Sequence, residues 1–189
     1  MPLTEVSKKV AYEGQIIRVI ETTMSDGRVF EKAVRSPGTR IIIYNKIGDK
    51  ILLSREFRQE IDDYDYRLPG GKVRDKVRDW DEIRDREDLL DLVAEASKKE
   101  AREEAGIEVN NIKLLTTSTS GGPTVEWTLY YFVTEDFTEL NKQDLEVGEE
   151  IKAMWVDVNE AIEICLSGKM KEGRSAAALL QFFHSIGKI

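Results

Sequence analysis

Three glutamates, Glu100, Glu103 and Glu104, crowd the end of a stretch from Leu89 to Ala105 that reads as helix, with Gly106 as its natural stop. With Val93 set at zero and about 100° advanced per residue, Leu89 falls at about −40°, Leu90 at about +60° and Ala96 at about −60°. Glu100 then lands at about −20°, Glu104 at about +20° and Glu103 at about −80°. Two carboxylates therefore stand in a stripe where Leu or Val is expected. A half-buried carboxylate is costly unless paired or metal-bound, and like charges at i,i+4 repel. A divalent cation would neutralise the pair and satisfy its oxygens. The competing reading is a helix end emerging into solvent, its acids paired with Lys98, Lys99 or Arg102.

The composition narrows the metal. Cys165 is the only cysteine and His184 the only histidine of 189 residues, which excludes an internal disulfide and any site built from Cys or several His. Both are expected to be structural. Oxygen ligands remain, pointing to Mg²⁺, Mn²⁺ or Ca²⁺. The formal net charge of −8 argues against non-specific binding to nucleic acid. No run approaches the ~18 apolar residues of a membrane span, and the start, Met1 to Glu5, lacks the regions of a signal peptide. A cytoplasmic location is the expectation.

The elements that must position these acids read as a mixture. Residues 6–60 are mostly strand, with Gln15–Glu21 and Val29–Arg35 joined across a turn at Ser25-Asp26-Gly27. Ser36-Pro37-Gly38 breaks the chain before Arg40–Tyr44, whose apolar run suggests a strand covered on both faces, and Gly48-Asp49 turns it into Ile51–Ser54. Leu68-Pro69-Gly70-Gly71 is a tight loop. Residues 72–88 carry six basic and seven acidic side chains, with Val73, Val77 and Trp80 at helical spacing. That pattern predicts a solvated helix laced with ion pairs, a disordered insert being the rival. Further strands are expected around Lys113–Leu115, Thr128–Val133 and Ala153–Val156, with a loop at Gly121-Gly122-Pro123. A helix capped by Asn159 and another from Ser175 to Ile186 follow. Strands mixed with helices, without regular βαβ alternation, indicate an α+β sandwich.

The run Lys99-Glu100-Ala101-Arg102-Glu103-Glu104-Ala105-Gly106-Ile107 resembles the core of a Nudix box, G-x5-E-x7-R-E-U-x-E-E-x-G-U, U being bulky and apolar. Gly71 matches its opening glycine. Tyr12-Glu13-Gly14, Ser36-Pro37-Gly38, Arg55-Glu56-Phe57-Arg58-Gln59 and Leu68-Pro69-Gly70-Gly71 extend the likeness to the ADP-ribose pyrophosphatase branch of Nudix hydrolases. The resemblance implies an α/β/α sandwich with an N-terminal antiparallel β subdomain (residues 1–38), a hydrolase domain (39–189) and a charged helical insertion (73–88). It implies Mg²⁺-dependent hydrolysis (Mn²⁺ being the alternative) of the pyrophosphate of ADP-ribose or a related nucleoside diphosphate sugar, giving a nucleoside monophosphate and a sugar phosphate. A catalytically weak or inactive nucleotide-binding module is the other reading.

By the same resemblance Glu100, Glu103, Glu104 and the Gly70 carbonyl would hold metal. Glu149, with Glu150 and Glu146 as alternatives, would accept the proton of the attacking water, Glu103 also being catalytic. Phe30 would stack on the base, Arg35 and Arg58 would contact the diphosphate or base region, and Glu126 would approach the substrate. A homodimer is implied. The chain departs from the pattern at several places. Lys99 replaces an Arg whose fork Lys cannot reproduce. Asp91, where the box has Glu, faces about 160° from Val93 on the wheel, away from Glu100. Gly71 and Asp91 are 20 rather than 6 apart, and the insertion between them is expected to project as a helix. Arg67 also replaces an acid common before the family's Leu-Pro-Ala-Gly segment.

Overall fold

A computed structural model describes residues 2–120, 122–140, 142–145, 148 and 150–189. The chain order is β1 (Glu5–Glu13), β2 (Ile17–Met24), β3 (Val29–Arg35), β4 (Gly38–Asn45), β5 (Lys50–Arg58), β6 (Asp63–Arg67), α1 (Val77–Asp81), α2 (Leu89–Ala105), β7 (Ile107–Thr119), β8 (Val125–Glu126), β9 (Thr128–Glu139), β10 (Ile151–Asp157), α3 (Val158–Leu166) and α4 (Gly173–Ser185). The first sheet runs β1-β2-β3-β8; the second runs β10-β5-β4-β9-β7, with β6 added to β5.

The central strand β4 explains the layering. Ile41 and Ile43 point to one face and pack in the cluster containing Val93 and Ala101 of α2. Ile42 and Tyr44 point to the other and join Phe182, Phe183 and Ala161 of α4 and α3. The two-residue period puts apolar side chains on both faces, so the strand reads as one continuous run. Helices thus cover both sides of the second sheet, giving the expected α/β/α arrangement of an α+β fold.

The second sheet forks at β5. That strand pairs with β4 only through Lys50 and Ile51, while Ser54 to Arg58 pair with β6. Because β10 occupies the other edge of β5 from Lys50 to Glu56, β4 and β6 share one edge and splay apart. The gap is bridged by residues 68–73. Thr39 N–H donates to the Gly71 carbonyl at 2.9 Å and Ile41 N–H to that of Pro69 at 3.0 Å, while Val73 N–H donates to Pro37 at 2.9 Å.

The charged segment behaves differently from the expected solvated helix. Its helical part is the five residues of α1, and the rest is turn, bend and irregular loop. Val73, Val77 and Ile83 are buried in the α2 cluster with Trp80 against them. Val77 N–H donates to the Gln15 carbonyl at 2.8 Å, and Asp81 pairs with Arg18 at 2.7 Å. The insertion is therefore stapled beside the β1–β2 hairpin instead of projecting as a helix. Its few apolar side chains gain more from the core than a regular helix would gain from ion pairs. The third helix also starts a little earlier than expected, with Asp157 and not Asn159 at its N-cap.

Candidate active site

The acids come from the last two turns of α2. The buried stripe of that helix is Val93, Ser97 and Ala101, rotated about 40° from Val93 on the wheel. Glu100, Glu103 and Glu104 are half-buried beside it. They stand at the negative end of the helix dipole, which disfavours carboxylates there. Gly106, with φ at +65°, ends the helix directly after them.

The glycines of the 68–73 loop make room for these side chains. A Cβ on Gly71 would lie 2.2 Å from Glu100 Oε1. Gly70 has φ of +148° and its backbone runs so close to β4 that a Cβ would meet the Thr39 carbonyl at 2.1 Å. Gly70 N–H donates to Glu104 Oε2 at 2.7 Å. Lys99 pairs with Glu103 at 2.9 Å through its ammonium group. Asp91 is exposed, as its wheel position requires.

A cavity of about 590 Å³ lies along α2, its wall including Gly71, Lys72, Glu100, Glu103 and Glu104. A second, of about 280 Å³, fills the fork of the sheet and is lined by Arg35, Arg40, Ser54, Arg58, Arg67 and Trp127, among others. Gly71, Lys72 and Glu104 belong to both. An acid-rich chamber thus shares part of its wall with an arginine-rich one. Arg58 is tied to Glu56 at 3.0 Å and Arg67 to the buried Asp65 at 2.8 Å, so both guanidinium groups are held on the fork.

Arg40 is the residue sequence reading overlooked. It sits 8% exposed under the loop, and its Nη1 donates to the Thr39 carbonyl at 2.7 Å and the Gly71 carbonyl at 3.4 Å. Burial pushes its pKa down, while the Glu104 carboxylate pulls it up. A charged residue opening an otherwise apolar strand was the available signal. Trp127, Arg174 and Ser54 were also missed; none carries a spacing that marks it.

Of the residues anticipated, Glu100, Glu103, Glu104, Gly70, Arg35 and Arg58 line one or both chambers. Phe30 and Glu126 line neither. Phe30 is exposed on β3 with the Arg28 guanidinium 5.8 Å from its ring, and Glu126 pairs with Lys32 at 2.9 Å. Glu149 and Glu146 lie outside the described residues, and Glu150 is exposed.

No group of three or more His, Cys, Asp or Glu side chains closes on a single point among the described residues. The donor chemistry nevertheless suits a hard divalent ion, since every candidate ligand is an oxygen. The Gly71 cradle, which a Cβ would fill, leaves Glu100 room to serve as one.

The model of the NUDIX domain matches residues 34–178. The chain belongs to the Nudix family. This Nudix chain is 27% identical over 165 residues to CMP-5'-(N-acetyl-N-hydroxy-3-aminopropyl)phosphonate hydrolase of Streptomyces rubellomurinus, covering 87% of its own length and 73% of that protein. Its fold matches the crystal structure of an ADP compounds hydrolase with a TM-score of 0.74, over 100% of this chain and 98% of the other, at 16% identity. The Nudix assignment supports hydrolysis of nucleoside diphosphate compounds and use of a divalent ion.

Proposed function

We propose that this protein is a metal-dependent pyrophosphatase acting on ADP-ribose or a related nucleoside diphosphate sugar, and releasing a nucleoside monophosphate and a sugar phosphate. The observation that carries this reading is the junction at Gly71, Lys72 and Glu104, where the acidic and arginine-rich chambers meet. A diphosphate laid across that junction would have carboxylates on one side and guanidinium groups on the other. Glu100, Glu104 and Glu103, with the Gly70 carbonyl, would hold Mg²⁺ or Mn²⁺. The bound ion would polarise a phosphoryl oxygen and help orient the attacking water. Arg58 and Arg67 are held by Glu56 and Asp65, so they can receive phosphate oxygens without being reordered. Lys72 adds a point charge at the junction. Arg40 donates to the Gly71 carbonyl from beneath, which helps preset the loop backbone that meets the substrate. Proton removal from water is assigned to the acidic loop before β10, with Glu149 as its base.

The name of the Streptomyces relative supports a nucleotide joined to a phosphorus-bearing group as the class of substrate. The test is Glu104→Gln, which removes an anionic ligand at nearly constant volume. Hydrolysis should fall by more than about tenfold, and the metal concentration for half-maximal rate should rise. Wild-type activity at limiting Mg²⁺ would reject the metal site. A panel of ADP-ribose, nucleotide sugars and dinucleotides, with product identification, tests the substrate.

A further inference from the structure

The wall of the arginine-rich chamber holds buried polar groups with nothing to bond, two of which can only donate. Arg35 Nε and Trp127 Nε1 are buried with no hydrogen-bond partner among the described residues, as is the hydroxyl of Ser54, itself 3% exposed. All three residues line the same cavity. The Arg35 and Arg174 guanidinium carbons lie over the Trp127 ring at 4.3 and 4.2 Å. Arg174 has Glu172 at 3.1 Å and also donates to the Trp127 carbonyl at 3.1 Å. Arg35 has no carboxylate partner among the described residues. Its pKa is pushed down by burial and then by the neighbouring charges of Arg40 and Arg174.

This arrangement is costly in the protein alone. A half-buried guanidinium without an anion loses hydration and gains no compensating charge. Arg and Trp side chains have no acceptor atoms. A neutral sugar presents hydroxyls that need acceptors as well as donors, so a donor-rich wall matches it poorly. A carboxylate, phosphate or phosphonate accepts everything this wall offers and supplies the missing negative charge. Arg40 feels both Glu104 and Arg35. Arg35 ends β3 of the first sheet, whereas Lys72 of the junction is bridged to Gly38 of β4 in the second, so the Trp127 end and the junction, where the scissile diphosphate is placed, belong to different sheets.

We infer that the Arg35–Trp127 end of the chamber, with Arg174 stacked on the Trp127 ring, binds an anionic group borne by the substituent on the second phosphorus of the substrate. Resting on the pyrophosphatase reading, this narrows the substrate from nucleotide sugars in general to those whose non-nucleoside part carries its own negative charge. Trp127 acts here as a specificity residue. Its ring aligns two guanidinium groups, and its N–H is a further donor.

The test compares three compounds that share one nucleoside diphosphate and differ in the attached group: a neutral hexose, the corresponding hexuronate and the corresponding hexose phosphate. Both kcat/KM with Mg²⁺ and Kd for the metal-free protein by calorimetry are measured. At least one charged compound should be favoured over the neutral one by about tenfold or more in both quantities, the better of the two identifying the anion. Arg35→Met should reduce that preference to within about threefold, and Arg35→Lys should restore part of it. Should Arg35→Met fail to fold, Trp127→Phe keeps the ring, removes the N–H donor and should still lower the preference. Equal or better handling of the neutral hexose, or an unchanged preference in folded Arg35→Met, overturns the inference. If none of the compounds is hydrolysed with Mg²⁺ or Mn²⁺, the pyrophosphatase reading falls, and the Kd comparison still decides what the chamber binds.

Discussion

At the residue scale the chemistry depends on two adjacent glycines with different jobs. Gly71 leaves space that the Glu100 carboxylate occupies. In Gly71→Ala the new methyl meets the mobile end of that side chain, which can swing away. Stability should change by less than about 1 kcal/mol, while hydrolysis should drop more than about tenfold because the proposed ligand Glu100 is displaced. Gly70→Ala should lose stability as well as hydrolysis. Its Cβ would strike the Thr39 backbone, and the φ of +148° is hostile to a side chain, so strain on the order of 1–3 kcal/mol is expected. Thermal melts beside kinetic assays separate the two outcomes. Cys165 lines neither chamber. It is buried, and desolvation pushes its thiol up to about 11, consistent with a structural residue.

At the scale of elements, α4 and the charged insertion each carry a measurable load. Glu172 caps α4 by accepting from Ser175 N–H at 2.9 Å and Ser175 Oγ at 2.6 Å, and it anchors Arg174. Burial raises its pKa, but the bonds from Ser175 and Arg174 outweigh that and hold it below the usual 4.5. The cap's charge-linked stability is therefore present above about pH 4.5 and lost as pH falls through the lower folded-state value. Glu172→Gln should cost about 1 kcal/mol at neutral pH. The gap between wild type and variant should narrow in denaturation curves run at progressively lower pH, and a constant gap would contradict the assignment. In the insertion, Ile83 is 8% exposed in the α2 cluster. Ile83→Ala should destabilise by about 2 kcal/mol, at the low end of such truncations. A solvated insert would show almost no change in the same chemical denaturation experiment.

At the scale of the whole molecule, the first sheet is the feature a single chain leaves unexplained. Every residue of β1 is exposed, and Val6, Val10, Tyr12, Ile17, Val29 and Phe30 all show apolar surface on β1–β3. Exposed apolar strands mark an interaction surface, in keeping with the homodimer that the family resemblance implies. Light scattering coupled to gel filtration should give twice the chain mass, and Val10→Lys should shift it toward the monomer. A monomeric wild type would remove the dimer. Among the described residues no helix is long and apolar enough to cross a membrane.

Much of this molecule was legible in the order of its residues. The β2–β3 hairpin, the doubly covered β4, the extent of α2 and its stop at Gly106 follow from local rules: turn chemistry, a period of two or 3.6, and a left-handed cap. The three glutamates stood out because carboxylates beside an apolar helical stripe conflict with burial. What the sequence could not determine was convergence. The charged segment looked solvated because periodicity shows which side chains are apolar without showing that a core awaits them; only packing revealed Val77 and Ile83 inside. The arginine chamber likewise depends on β5 leaving β4 for β6, a consequence of pairing between distant strands. Arg40, Arg67 and Trp127 come from three separate parts of the chain, and no spacing rule relates them. Their meeting is decided by the forked sheet and the helix packed against it, because burial and charge compensation are properties of neighbours in space.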